Sequence, residues 1–195
     1  RSYVLYREER KNQRNEEQLK RETTTQKSEE SAINDAKGGF EGKVHKACEG
    51  LDDVKPEELI EAIRATAYEG ISEEDLSNCI LIAARTFVEK EPNYSYVTAR
   101  ILMDQIRNEA LGFLKVSEEA TYHEMEKHYP AAFRAYIDKG IELDILNPEL
   151  KEFDLDKLSK AIDYTRDNQF TYLGLQTLYD RYFIHSNDIR YELPQ

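Results

Sequence analysis

The residues best suited to chemistry in this chain are few, and their spacing gives them little to do. His123 and His128 bracket the run His123-Glu124-Met125-Glu126-Lys127-His128. Metal-binding helices place two histidines four apart on one face, whereas five apart the imidazoles point in different directions, so the run reads as no metal site. Cys48 and Cys79 have no C-x-x-C partner, and the sequence around them supplies no base to activate a thiol. Cys79 falls on an apolar stripe and reads as a buried free thiol. His45 and His185 stand without a recognisable partner. The acidic pairs Glu73-Glu74 and Glu118-Glu119 sit where helices start and complement the helix dipole there. Gly38-Gly39 lacks the strand, lysine and hydroxyl of a phosphate loop. The residues by themselves define no self-contained active site.

The elements that carry these residues are helices. Glu57 to Gly112 reads as three in succession. The middle one, over 73–90, puts Leu76, Cys79, Ile80, Ala83, Ala84, Phe87 and Val88 on one stripe at core-facing spacing. Ser72 and Asp75 form a cap before it and Pro92 stops the chain after it. Leu59, Ile60, Ile63 and Ala67 make the helix before, closing on Gly70. Tyr96, Ala99, Met103, Ile106 and Ala110 make the helix after, closing on Gly112, with both glycines at left-handed C′ positions. Lys43 to Leu51 adds a fourth, with Val44, Ala47 and Leu51 inward and Gly50 near its end. Further on, Ser117 is expected to cap a helix through Lys127, which Pro130 interrupts. Another runs over 131–139 until Gly140 stops it. Asn147-Pro148 marks a turn, and Asp154 caps a helix over 155–162 with Leu155, Leu158 and Ile162 on one face. The last helix, 171–181, carries Tyr172, Leu175, Leu178 and Tyr179. Runs 182–184 and 189–193, separated by His185 to Asp188, read as a hairpin. The tyrosines Tyr94, Tyr96, Tyr164, Tyr172, Tyr179 and Tyr182 are amphipathic and suit helix–helix or domain contacts.

The chain has 195 residues and a net charge of −12, which argues against nucleic acid and membrane surfaces as partners. No apolar run is long enough to span a bilayer, and the two cysteines fit a reducing, cytoplasmic setting. Residues 1–30 hold 8 Lys and Arg against 7 Asp and Glu, so the acidity belongs to the remainder. Residues 1–21 are polar and charged and read as the tail of a helix entering a weakly ordered linker to residue 42. Without an initiator methionine, the chain is expected to begin inside a longer protein.

Two segments resemble one family. Ala47-Cys48-Glu49-Gly50-Leu51, Tyr68-Glu69-Gly70-Ile71-Ser72 and Pro92-Asn93-Tyr94-Ser95-Tyr96-Val97-Thr98-Ala99-Arg100 are similar to the helical part of an ATP-cone, the regulatory domain that heads the large α subunit of class I ribonucleotide reductases. The run from Phe170 to Tyr182 resembles the helical region just ahead of that subunit's catalytic barrel. Tyr3 to Lys11 resembles the closing helix of a preceding cone. The fold implied is mainly α. It divides into the end of one cone and a linker (1–42), an ATP-cone-like four-helix unit (43–115), and a helical domain ending in a short β-hairpin (116–195).

The resemblance also implies where nucleotide contacts should fall, and there the sequence departs from the pattern. The V-x-K-R-x-G-like hairpin that opens a cone is missing from Ser31 to Gly42. The family's contacting threonine and histidine fall on Glu73 and Ser77, and its lysine falls on Asn108. A carboxylate in place of a polar contact and an amide in place of a cation oppose a triphosphate, so this cone is expected to be degenerate, with no cofactor of its own. The parent implied is a thiyl-radical reductase that makes deoxyribonucleotides for DNA synthesis and responds to ATP and dATP. Its partners would be the catalytic barrel of the same subunit, a radical-generating β subunit and further copies in a homo-oligomer. The barrel cysteines would lie beyond Gln195, so this chain alone is expected to be inactive. The rival from another class is a stand-alone acidic helical interaction module. A reading frame continuing past Gln195 into a cysteine-bearing barrel separates the two.

Overall fold

The computed structural model describes residues 39–68 and 71–195, and the side chains of all these except Glu73 and Glu74. The expectations for residues 1–38 and for Gly70 lie outside the described residues. The fold is mainly α. The described helices are α1 (39–48), α2 (Pro56–Thr66), α3 (Glu73–Phe87), α4 (Tyr94–Phe113), α5 (Met125–Glu142), α6 (Leu155–Lys160) and α7 (Tyr172–Arg181). Short 3-10 turns lie at Tyr122–Glu124, Pro148–Glu152 and Tyr164–Gln169.

Four helices close the first core. Phe40, Val44, Ala47 and Cys48 from α1 meet Leu59, Ile60 and Ile63 from α2, the α3 stripe, and Tyr94, Val97 and Ile101 from α4. Pro56 opens α2, where its missing N–H costs nothing. Ser72 caps α3 by accepting the Asp75 N–H at 3.1 Å. Of the stripe, Leu76, Ile80, Ala83, Ala84 and Phe87 are buried, whereas Val88 caps the helix and is only half-buried. Cys79 is half-buried too, at the edge of the stripe beside Ile80, and the buried thiol is Cys48 at 5% exposure. Tyr94 fastens the α4 start to the α2 start: its hydroxyl accepts from Lys55 N at 2.9 Å and donates to Lys55 O at 3.2 Å.

α4 belongs to more than this core. Its Ala99, Leu102, Met103 and Ile106 pack against Leu175 of α7 and Phe183, and its Leu111 joins Ala120, Met125, Tyr129 and Ala132 in a third cluster. At 20 residues, α4 is about 30 Å long and runs through all three.

The C-terminal region departs from expectation at its helix ends. α5 runs unbroken through Pro130 and Gly140, because Met125, Tyr129, Ala132 and Ile137 bury one continuous stripe. Thr121 precedes it rather than Ser117: the Glu124 carboxylate accepts from the Thr121 N–H at 2.8 Å and its hydroxyl at 2.7 Å. Gly112 likewise lies inside α4. The left-handed residues are Lys115 (φ 56) and Asp144 (φ 56), each closing a Schellman loop. Val116 N reaches Leu111 O at 3.0 Å in one, and Ile145 N reaches Gly140 O at 2.9 Å in the other. Asp154 caps α6 as expected, but Leu158 is exposed and Ser159 takes the buried position. The hairpin is tight: His185 pairs with Arg190 and Ser186 with Ile189. Asn187 and Asp188, both at positive φ, make the two-residue turn that matches strand twist.

Candidate functional site

A cleft of about 790 Å³ opens where α1 and α4 meet the segment 119–124 and Asn168. Lys43 and Lys46 stand on its α1 wall, and Arg100, Asp104, Arg107 and Asn108 on its α4 wall. Arg100, Asp104 and Arg107 recur every three to four positions and Asn108 follows Asp104 by four, which places them on one face of the helix.

Each cation on α4 in this cleft is already engaged. Arg100 donates from Nη1 to Ala47 O at 2.9 Å and Glu49 O at 2.7 Å, closing the orphan carbonyls at the α1 end. Burial pushes its guanidinium down from the usual arginine range, with the Glu49 carboxylate opposing. Burial likewise lifts the neighbouring Cys48 thiol to about 11, so it stays protonated and unreactive. Arg107 is buried and pairs with Asp104 one turn earlier. Glu124 is held below the usual carboxylate range, first by the Thr121 N–H and then by its hydroxyl.

The three positions singled out from sequence fall on α3 and α4. Glu73 is the first residue of α3. Ser77 is half-buried one turn later on the same helix, away from the cleft lining. Asn108 does line the cleft, and its Oδ1 accepts the Ala120 N–H at 3.4 Å. The Asn108 amide thus ties α4 to the segment leading into α5. His123 and His128 fall in different elements, and His123 stacks edge-on with Tyr122 at 5.1 Å.

Sequence reasoning missed the buried polar set beside the cleft. Asp167, in the 3-10 turn Tyr164–Gln169, is buried and accepts the Tyr129 hydroxyl at 2.7 Å. Nothing in a periodic pattern marks Asp167, since its turn is short and polar.

The four helices α1 to α4 thus form one packed unit closed by α4. Residues 39–109 match the family described as the ATP cone domain, and this part of the chain belongs to it. The chain as a whole is homologous to the N-terminal region of ribonucleoside-diphosphate reductase alpha subunits. It is 35% identical over 205 residues to the alpha subunit of Chlamydia muridarum, a match covering all of this chain and 19% of that protein. It is 44% identical over 132 residues to that of Chlamydia trachomatis, covering 67% of this chain and 12% of the relative. The Helicobacter pylori alpha subunit is 30% identical over 151 residues, covering 76% and 18%. The chain therefore spans less than a fifth of the length of these curated relatives. Among the described residues, no helix is long and apolar enough to cross a membrane.

Proposed function

We propose that this chain is the regulatory N-terminal section of a ribonucleoside-diphosphate reductase alpha subunit, and that its cone is a degenerate one that transmits rather than senses. The observation that carries this reading is the ATP cone match at 39–109 inside a chain whose whole length aligns with such subunits. Residues 43–115 act as the cone and 116–195 as the helical domain that meets the catalytic barrel. The parent enzyme reduces ribonucleoside diphosphates in the cytoplasm, works as a homo-oligomer with a radical-generating β subunit, and answers to ATP and dATP. None of the reductive chemistry is carried by Cys48 or Cys79.

The degenerate reading rests on charge. A triphosphate brings about four negative charges and needs lysine, arginine and N–H donors around it. Asn108 spends its acceptor on Ala120, and Glu73 adds a carboxylate at the α3 start. Like charges about 4 Å apart repel by ~1 kcal/mol in water and ~4 kcal/mol at an effective dielectric of ~20. A lost charged hydrogen-bond partner adds roughly 1.5–3 kcal/mol. Together these weaken a micromolar site by at least about two to three decades. Calorimetric titration with dATP and with ATP should show no saturable binding tighter than about millimolar. A saturable micromolar isotherm would establish a working cone.

A further inference from the structure

We propose that Arg107 and Asp167 form a buried charge lock that holds the last cone helix in register against the helices that follow. Arg107 sits in α4, within the matched cone, and Asp167 in the turn Tyr164–Gln169, outside it. α4 packs directly on that turn. Both side chains are closed off from solvent, with Arg107 at 2% exposure and Asp167 at 3%. Each is only half satisfied among the described residues. Arg107 spends Nη2 on Asp104, which leaves buried Nε and Nη1 without a protein partner there. Asp167 spends Oδ2 on Tyr129, which leaves buried Oδ1 without one.

Buried polar atoms left unpaired are rare in folded proteins, and buried unpaired charges rarer. Here two donors of a cation and one acceptor of an anion are left over in the same seam, and they are complementary. A water held between them would satisfy both at once, since such a site offers several polar partners to one molecule. Burial is the first cause that lifts the Asp167 carboxyl from its ordinary range, while the Tyr129 bond and the Arg107 charge pull it back. Arg107 lines the same cleft as Asn168, the residue after Asp167. Tyr129 feels the same two charges, Asp167 pushing it up and Arg107 drawing it down. A shift of α4 along its axis would separate the pair and strand two charges in the interior. Packed seams of this kind have discrete positions rather than a continuous slide.

The role in transmission rests on the regulatory reading above, but the lock itself is tested on this chain alone. Arg107→Met, Asp167→Asn and the double variant make a cycle read by urea unfolding, with amide exchange over 119–129 and 164–169 as a second readout. Each single variant should raise the unfolding constant and speed exchange in both segments. The double variant should fall short of the product of the singles by about tenfold. Effects that multiply within about twofold overturn the lock while leaving the dATP titration untouched. Should Arg107→Met fail to fold, Arg107→Lys takes its place in the cycle. It keeps the charge but loses the planar fork, and the same coupling is expected at smaller size. Its absence overturns the proposal equally.

Discussion

The four-helix unit and the helices after it are fastened by different chemistry. The first is apolar throughout: Val44, Leu59, Ile63, Ala84 and Val97 are fully enclosed, and its long-range polar contacts sit at helix ends, as with Tyr94 on Lys55 and Arg100 on the α1 carbonyls. The second relies on tyrosines bonded to carboxylates. Tyr129 donates to Asp167 at 2.7 Å, Tyr136 to Glu192 at 3.3 Å, and Tyr179 to Glu109 at 2.7 Å. Glu109 also accepts the Arg190 N–H at 2.7 Å and Glu192 the Ile184 N–H at 2.7 Å, so both carboxylates tie the hairpin down. Apolar stripes tolerate pH and write themselves into sequence as periodicity. Tyrosine–carboxylate ties do neither.

The sharpest test of this contrast is in the cores. Phe87 is buried against Tyr94, with ring centroids 5.0 Å apart. Phe87→Ala should cost about 3–5 kcal/mol in denaturant unfolding. Leu158→Ala removes a side chain that the sequence also places inward, yet Leu158 is 46% exposed; its cost should stay within about 0.5 kcal/mol. Equal losses would mean that Leu158 is packed in the interior rather than exposed.

Glycine substitutions come next. A Cβ on Gly140 would lie 2.4 Å from Leu146 Cδ1 and 2.6 Å from its Cγ. Gly140→Ala should therefore destabilise by about 1–3 kcal/mol, less the ~1 kcal/mol of helix propensity that alanine returns. A Cβ on Gly112 would meet nothing within 4 Å, and its backbone is not left-handed. Gly112→Ala should stabilise by roughly 0.5–1 kcal/mol. Melting curves that move in the same direction for both variants would contradict the two placements.

The smallest effect is a slope. Tyr179 is lifted to about 12, first by burial and then by the hydrogen bond and charge of Glu109. Burial is also the first cause that lifts Tyr129 and Tyr136, with their carboxylate partners adding to it. The neutral phenol is the form the fold prefers. Its stabilisation is complete below the ordinary tyrosine value of about 10 and is lost as pH rises through the raised one. Urea midpoints should fall between pH ~10 and ~12, and Tyr179→Phe should flatten part of that fall. Amide exchange should show the C-terminal helices opening before the cone; the reverse order would undo the comparison.

These differences also explain what could be read from sequence. α2, α3 and α4 were legible because Ile60, Ile80, Ile106 and their neighbours repeat at helical spacing, and Ser72 marks a start without ambiguity. The stops were not. Gly112 and Gly140 look like terminators, but the chain turns three and four residues later, at Lys115 and Asp144. Gly140 is small so that Leu146 can fold over it, which is a demand of packing rather than of backbone angle. Cys79 was misplaced by one position on the helical wheel, enough to trade a buried thiol for a half-exposed one. Tyr182, expected at a contact, points largely into solvent. The cleft beside α4 had no signature, since residues from α1, from α4, from 119–124 and from 168 meet there only after folding.

α4 has a consequence for how such a chain can be rearranged. Because one helix lines three cores, the family boundary near residue 109 is not a seam along which the polypeptide divides. An excised cone keeping α4 would show Leu102, Met103 and Ile106 to water, and one lacking it would lose Tyr94, Val97 and Ile101 from its own interior. Duplication, loss or grafting of this unit must therefore carry a matching α7, or a replacement for it.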